Sequence, residues 1–557
     1  MTKRKHRPVI AYSADLETTT KEDDCRVWVW GISVIGSDDT FEWGKDVASL
    51  CERLSFDESN NIVYFHNLKF DGRFIIDYLL NQGYRHVDDT PTAGEFTTLI
   101  SNMGMFYTIT VKWTDGTKTE FRDSLKKLPF SVAEVARAFD QDQGKGEIDY
   151  HKDRPIGYEP TADEIEYLRL DVLIIARALA EQFDEGMKAL TVGSDALKEY
   201  KSLVFSKTFR KQFPVLDIDT DTEVRRAYRG GYTYADERHL QRETRSGIVL
   251  DVNSLYPSVM MNRILPFGKP LRRRGLPETS EDYPLSIFTV TFTAKLKPKH
   301  LPCIQIKNAS QFSPTEYLRE IVEPTTLTVT NVDWELYNEH YDIEVLSYDN
   351  GFVFQARKGM FDTYINKWMN VKENSDGGRR TIAKLHLNSL YGKLATNPTV
   401  QSKHPVLEDG LVKLKLSPAE IRDPVYTPAG VFITAWARDL TIRAAQANYD
   451  TFAYADTDSL HLLRDDIPDG IDVHPTRIGA WDHEYSFRRA FYIRAKAYLE
   501  EKHDGTKVNR VAGMPTDVSR KLDIDTIHDG QIVDGKKVPK VVPGGVVLVD
   551  TPYRVKF

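Results

Sequence analysis

The stretch Tyr454-Ala455-Asp456-Thr457-Asp458-Ser459 places two aspartates two residues apart at the end of an apolar run. Side chains at i and i+2 of a strand face the same way, so both carboxylates aim at one spot. Oxygen ligands of this kind suit hard divalent cations. Alone the pattern is weak, because Asp-x-Asp is also an ordinary turn after a strand. Asp251 closes a second apolar run, 247–250. Side by side, the two strand ends would form a site for the metal pair, roughly 3.5–4 Å apart, that nucleotide joining uses. A helical stretch adds Lys384, Asn388 and Tyr391 at i, i+4 and i+7, one polar and aromatic stripe on an apolar background. A lysine there can meet a phosphate and a tyrosine can stack on a base pair; a solvated helix face is the plainer alternative. Arg379 and Arg380, a turn upstream, favour an anionic ligand.

A second group of acids lies near the start. Asp15 and Glu17 share one face of a strand, while Asn67 with Asp71, and Tyr167 with Asp171, have helical i, i+4 spacing. Taken singly, each is a common surface pairing.

The elements that must hold these residues are legible from periodicity. Runs 9–14, 27–34 and 62–65 read as strands, leading into a helix over 74–80. The pattern of 162–183 predicts a long helix, with Thr161 as N-cap before Glu164. An α/β domain ending near residue 190 is expected. Strand 247–252 leads toward Pro257, which suits a helix start. Residues 261–360 are Pro-rich, with strand-like runs at 287–292 and 327–329, and read as an insertion or subdomain. Residues 360–395 are helical, broken at Ser375-Asp376-Gly377-Gly378. Residues 406–416 alternate around Asp409-Gly410, a hairpin signal. Residues 425–431 lead into a helix over 434–449, and 541–549 belong to a β-rich end.

At 557 residues the chain should divide into several domains. Its 74 basic and 82 acidic residues give −8, which neither advertises nor excludes a nucleic-acid partner. Three cysteines without a CxxC pair fit a reducing compartment and argue against a disulfide framework or zinc ribbon. No run approaches the length of a membrane span or signal peptide, so a cytoplasmic protein is expected.

Together the motifs become specific. Asp251-Val252-Asn253-Ser254-Leu255-Tyr256-Pro257 resembles motif A of family B DNA polymerases, the segment from Lys384 to Gly392 resembles motif B, and Tyr454 to Ser459 resembles motif C. Asp15-Leu16-Glu17, Asn67 to Asp71, and Tyr167 to Asp171 resemble, in order, the three motifs of DEDD-class proofreading exonucleases. Tyr228-Arg229-Gly230-Gly231 is similar to the Tyr-x-Gly-Gly segment that coordinates the two activities. With Ser124-Leu125-Lys126-Lys127-Leu128-Pro129, Trp481-x-His483-Glu484 and the segment from Val542 to Asp550, the matches run nearly end to end. They identify the protein-primed, phage phi29-type branch of the family. The segment between Lys496 and Val511 looks shorter than the branch implies.

The resemblance implies a multidomain α/β fold: an RNase H-like 3′–5′ exonuclease domain and a right-hand polymerase domain with two insertions. The expected limits are 1–189 for the exonuclease, 190–260 and 423–511 for the palm, and 360–395 for the fingers. Insertion one is expected at 261–359, insertion two at 396–422 and the thumb at 512–557. In the polymerase site, Asp251, Asp458 and Val252 would bind metals, with Asp456 in support. Tyr256 would exclude a 2′-hydroxyl; Lys384, with Lys372 and Arg380, would hold the triphosphate; Asn388 and Tyr391 would line the new base pair. In the exonuclease site, Asp15, Glu17, Asp71 and Asp171 would bind metals and Tyr167 would orient water, with Lys145 as a further catalytic residue. Thr18, Asn67, Phe70, Phe74, Ser124 and Leu125 would contact the single strand. Tyr228, Gly230, Gly231, Thr434, Arg438, Lys496 and Tyr498 would contact DNA nearer the primer. Two divalent ions per site, magnesium or manganese, are implied. The implied partners are primer-template and single-stranded DNA, dNTPs, a priming terminal protein and a single-stranded-DNA-binding protein; a monomer without membrane contact is expected. A pure nuclease leaves the segment from Lys384 to Gly392 unexplained, and a non-catalytic scaffold would be expected to lose its acids. An RNA- or DNA-primed family B polymerase, or a repair enzyme without a terminal protein, is the nearest rival.

Overall fold

Val9–Thr18, apolar from Val9 to Tyr12 and alternating from Ser13 to Glu17, becomes the pivot of a mixed eight-stranded sheet. The structure is a computed structural model and describes residues 7–55, 58–141, 148–150, 152–306 and 317–557. Val27–Val34 pairs antiparallel with the pivot and Asn60–Phe65 pairs parallel with it. Lys118–Asp123, Phe106–Lys112 and Glu95–Ile100 extend the sheet on the far side. The pivot strand runs past the expected end at 14, because Asp15 and Glu17 continue the alternation. The last three strands escape an apolar-run search because they are rich in Thr and Lys. Two helices lie against this sheet: Leu68–Asn81, and Ala162–Asp184, which carries a reciprocal Thr161/Glu164 capping box.

The second large sheet centres on Gly247–Val252, whose interior run Ile248, Val249 and Leu250 is fully covered. Ser459–Leu462 and Trp481–Arg494 flank it, both antiparallel. Phe452–Asp456 pairs with the former, and a tight hairpin, Ala497–Lys502 with Lys507–Val511, extends from the latter. Thr427–Ala447 is buried almost all round, as expected for a helix inside a large core. It begins before the expected 434, with Pro428 in its first turn, where a missing N–H costs nothing.

Between Leu265 and Arg357 four antiparallel strands form a separate sheet, covered by a helix, Asn331–His340, that the sequence pattern did not announce. Asp362–Glu373 and Gly377–Leu394 are the expected broken helix pair. Lys403–Glu408 and Leu411–Leu416 form the expected hairpin, and Asp409 and Gly410 both have positive φ, 54° and 73°, as a type I′ turn demands. The C-terminal hairpin, Ile532–Val542 with Gly545–Arg554, reaches back to the first domain. Its Val542, Val546 and Val547 share a core with Phe74, Ile75 and Val63. No helix among the described residues is long and apolar enough to cross a membrane.

Candidate active sites

Asp251 and the Asp456-Thr457-Asp458 turn meet because their strands are neighbours: Asp251 sits opposite Ser459, and Ser459 opposite Asp456. Thr457 takes a left-handed φ of 64°, which folds the turn tightly. Its N–H donates to the Tyr232 carbonyl (2.7 Å), and the Val252 N–H donates to the Asp458 carbonyl (2.8 Å). A Cβ on Gly231 would lie 2.6 Å from Thr457 Oγ1, so the Tyr228-to-Gly231 segment approaches this turn only as glycine. Burial first, then Asp458, Glu484 and Asp482, push the Asp251 carboxyl up to about 8. Burial also raises Asp458, with Asp456 and Glu484 adding to it. Asp456 takes a different part. Lys496 Nζ (2.7 Å) and the Thr233 hydroxyl (2.8 Å) both donate to its Oδ1.

Around these acids lies a cleft of about 740 Å³ that also takes in Tyr256, Tyr391, Glu484, Lys496 and Tyr498. Tyr256 and Tyr391 stack with ring centroids 4.0 Å apart, closing one side. Lys372 donates to the Ser254 hydroxyl (3.3 Å), and Arg380 donates to the Lys372 carbonyl (2.6 Å). Burial, Lys384 and Arg380 all depress the Lys372 ammonium, so three cations crowd one spot. A polyanion would relieve that repulsion. Lys384 and Asn388 stand exposed on the same helix. Arg379 is spent on Glu185, 3.0 Å away.

The second site uses one strand and two helices. Asp15 and Glu17 project from the same face of Val9–Thr18, opposite Gly31 and Val29. Asn67, with φ of 80°, turns the chain into Leu68–Asn81 and places Asp71 in its first turn. The Asp123 carboxylate fixes that turn by accepting N–H groups from Asn67 (3.1 Å), Leu68 (3.3 Å) and Leu125 (3.0 Å). Burial, then Asp15, pushes Asp71 well above the usual carboxylate range, with Glu17 and Asp123 adding to the shift. Tyr167 and Asp171 project inward from Ala162–Asp184. Burial, then Asp171, raises the Tyr167 hydroxyl, which lies 3.1 Å from that of Tyr150. Phe70, Thr18 and Leu125 are half-buried beside these groups and Asn67 is exposed.

Four of the expected DNA contacts are buried in this structure. Arg438 is 4% exposed, forked onto Asp333 (2.8 Å) and donating to the carbonyls of Arg229 and Gly230. Thr434 is internal and donates to the Val431 carbonyl (3.0 Å). Ser124 donates to the Phe65 carbonyl (3.1 Å), and Phe74 lies under Gly545 of the C-terminal hairpin. Their hydroxyl, guanidinium and ring stand beneath the surface and shape it from below. Lys145 lies outside the described residues. Gly231 borders the Asp456-Thr457-Asp458 turn, and Gly230 beside it is exposed to solvent while Tyr228 is half-buried. Sequence reasoning gave no role to Tyr150, Asp123, Thr233 or Glu484. Asp123, directly before a Ser-Leu turn, carried a local signal, and Glu484 stood in the Trp481-to-Glu484 match without an assigned role.

The donor sets fit divalent cations. Each site gathers hard oxygen ligands, and in each the acids raise one another's proton affinity, a repulsion that a bound cation removes. Among the described residues no three His, Cys, Asp or Glu side chains already stand at metal-holding distances.

The profile of "DNA polymerase type B, organellar and viral" matches residues 52–159 and 145–474. The DNA polymerase of Bacillus phage M2 is 43% identical over 98% of this chain and 99% of its own length. That of Bacillus phage phi29 is 42% identical over 99% of this chain and 100% of its own length. The DNA polymerase of Streptococcus phage Cp-1 is 34% identical over 98% of both. The solved structure of phi29 DNA polymerase with primer-template DNA and incoming nucleotides superposes with a TM-score of 0.94 at 41% identity, covering 99% of this chain and 100% of that one. The same polymerase bound to single-stranded DNA superposes at 0.92. With the two acid clusters placed as described, the chain belongs to the phi29-type DNA polymerases of family B.

Proposed function

We propose that this polymerase starts synthesis on a protein primer and proofreads its product, using two separate carboxylate sites for two phosphoryl transfers. The observation that carries the reading is the convergence of Asp251 and Asp458 from adjacent strands in one cleft with Lys496 and Tyr498. Bound there, two magnesium or manganese ions would activate the attacking hydroxyl and brace the triphosphate. Asp251, Asp458 and the Val252 carbonyl are the groups to hold them, while Lys496 keeps Asp456 oriented toward the turn. Lys384, Lys372 and Arg380 gather the triphosphate. The Tyr256 ring, fixed by Tyr391, closes the space a 2′-hydroxyl would need, and Asn388 and Tyr391 border the new base pair. Lys496 and Tyr498 hold the primer end.

In the other site Asp15, Glu17, Asp71 and Asp171 hold the metals and Tyr167 positions the water that cuts the mispaired end. Phe70, Thr18, Asn67 and Leu125 seat the frayed strand, because aromatic stacking accepts any base. We assign residues 1–189 to an RNase H-like exonuclease domain, the sheet around Gly247–Val252 to a palm, 360–395 to fingers and 512–557 to a thumb. Insertion one, 261–359, would receive the terminal protein, and the 403–416 arm would stand where the duplex opens. A single-stranded-DNA-binding protein would cover the displaced strand, in a host-cell cytoplasm, with the enzyme working as a monomer.

The test is to mix the protein with template, dATP, magnesium or manganese and a candidate priming protein. Covalent linkage of nucleotide to that protein supports the reading. Extension from annealed oligonucleotides alone would favour the oligonucleotide-primed alternative.

A further inference from the structure

A second groove, of about 640 Å³, lies on the reverse side of the helix that borders the catalytic cleft. Tyr391 faces the cleft and Lys393, two residues on, faces this groove. Two helical residues are about 200° apart, so the groove and the nascent base pair share one helix as a common wall. The other walls are the helix Val192–Leu203 and the stem of the 403–416 arm, where Val400 and Arg422 line the space.

The chemistry of the groove departs from that of the whole chain. Net charge is −8, yet Lys198, Lys201, Lys393 and Arg422 line it against a single acid, Asp423. Only Arg422 has a carboxylate partner among the described residues, exposed Glu420 at 3.4 Å. The Lys393 stem is packed against the helix Val192–Leu203, where a Cβ on Gly193 would lie 2.9 Å from it. Next to the lining residues Ser202 and Ser206 stands Phe205, 75% exposed, with φ of 62°. A bulky side chain in that conformation is strained, and strain of this kind concentrates at functional positions. Exposed Lys207, Arg210 and Lys211 continue the basic surface beyond it.

A basic groove with a solvent-facing aromatic ring next to one of its lining residues suits single-stranded nucleic acid, whose phosphates follow the cations while a base stacks on the ring. We propose that this groove is the exit track for the DNA strand displaced ahead of the polymerase, with Phe205 as its stacking platform. The template must reach the Tyr391 face, so the reverse face is left to the strand that has been peeled away. The proposal rests on the reading that the 403–416 arm stands at the opening duplex.

The test compares full-length Phe205→Ala and Lys198→Ala/Lys201→Ala with the parent on two templates. One is a primed single strand and the other a gapped duplex that requires displacement. Displacement synthesis should fall about fivefold in each variant while extension on the single strand stays within about twofold. Phe205→Trp should restore it. Iodouracil in the displaced strand should photocrosslink to Phe205. Equal loss on both templates, or crosslinks from the template strand alone, would mean that the groove serves the template and would overturn the proposal. Unchanged displacement without crosslinks would also overturn it. Deleting residues 403–416 separates the two readings. If deletion abolishes displacement while the groove variants are silent, the arm reading stands and the track fails; if deletion is silent, the arm reading fails.

Discussion

The two acid clusters use the same ligand chemistry in unlike surroundings. In the polymerase site the acids come from adjacent strand ends and open onto a cleft, with Lys496 on Asp456 and three further cations on the facing helices. In the other site one strand and two helices press Glu17, Asp71 and Asp171 to 6%, 3% and 4% exposure. What raises Asp71 is burial followed by three neighbouring acids. The first site opens onto a cleft with cations close by, a setting in which a polyanion would be favoured. The second holds its acids in a more enclosed setting, which on the proposed reading would suit a short single strand. Burial and counter-charge, more than ligand identity, distinguish the two sites.

That contrast can be attacked from its largest consequence downward. Asp15→Ala/Glu17→Ala should lower hydrolysis of a single-stranded oligonucleotide by roughly 10³-fold or more, because metal-held charge stabilisation is lost. Extension measured in parallel should be unaffected; a matching loss of extension would merge the two sites. Lys496→Ala removes the cation from Asp456 and should cost about tenfold in extension, close to one charge-assisted hydrogen bond. Single-strand hydrolysis by the same variant serves as the control and should not move.

The smallest effect is a stability effect confined to the enclosed site. Burial pushes the Glu164 carboxyl up, but hydrogen bonds from Thr161, Tyr158, Lys152 and Arg154 outweigh it and hold it at about 2, against 4.5 for the free group. A folded value below the unfolded one means the carboxylate stabilises fully above about pH 4.5, and this contribution fades as pH falls through about 2. Glu164→Gln should therefore lower Tm at pH 7 and flatten its dependence on pH below about 4.5. A Tm that tracks the parent through this range would show that the Glu164 charge contributes nothing.

Much of the positioning was legible before the structure. Strand 247–252, the Asp409-Gly410 turn and the Thr161 cap are local devices, and each forms where its residues demand. Asp251 and Asp458 could be paired because both end apolar runs. What resisted reading was direction. Thr434, Arg438 and Phe74 carry polar or aromatic groups that look accessible in sequence, yet tertiary packing turns each inward. Arg438 is drawn inside by Asp333, distant in the chain and on a helix that had no expected existence. Tyr150 and Thr233 reach Tyr167 and Asp456 through their hydroxyls, contacts that leave no periodic trace.

The most direct test of separate sites is Asp458→Ala assayed for both activities in one preparation. Nucleotide addition should fall by roughly 10³-fold or more, while hydrolysis of a single-stranded oligonucleotide stays within about twofold of the parent. If both rates fall together in a protein of unchanged Tm, one metal centre serves both reactions and the account is wrong.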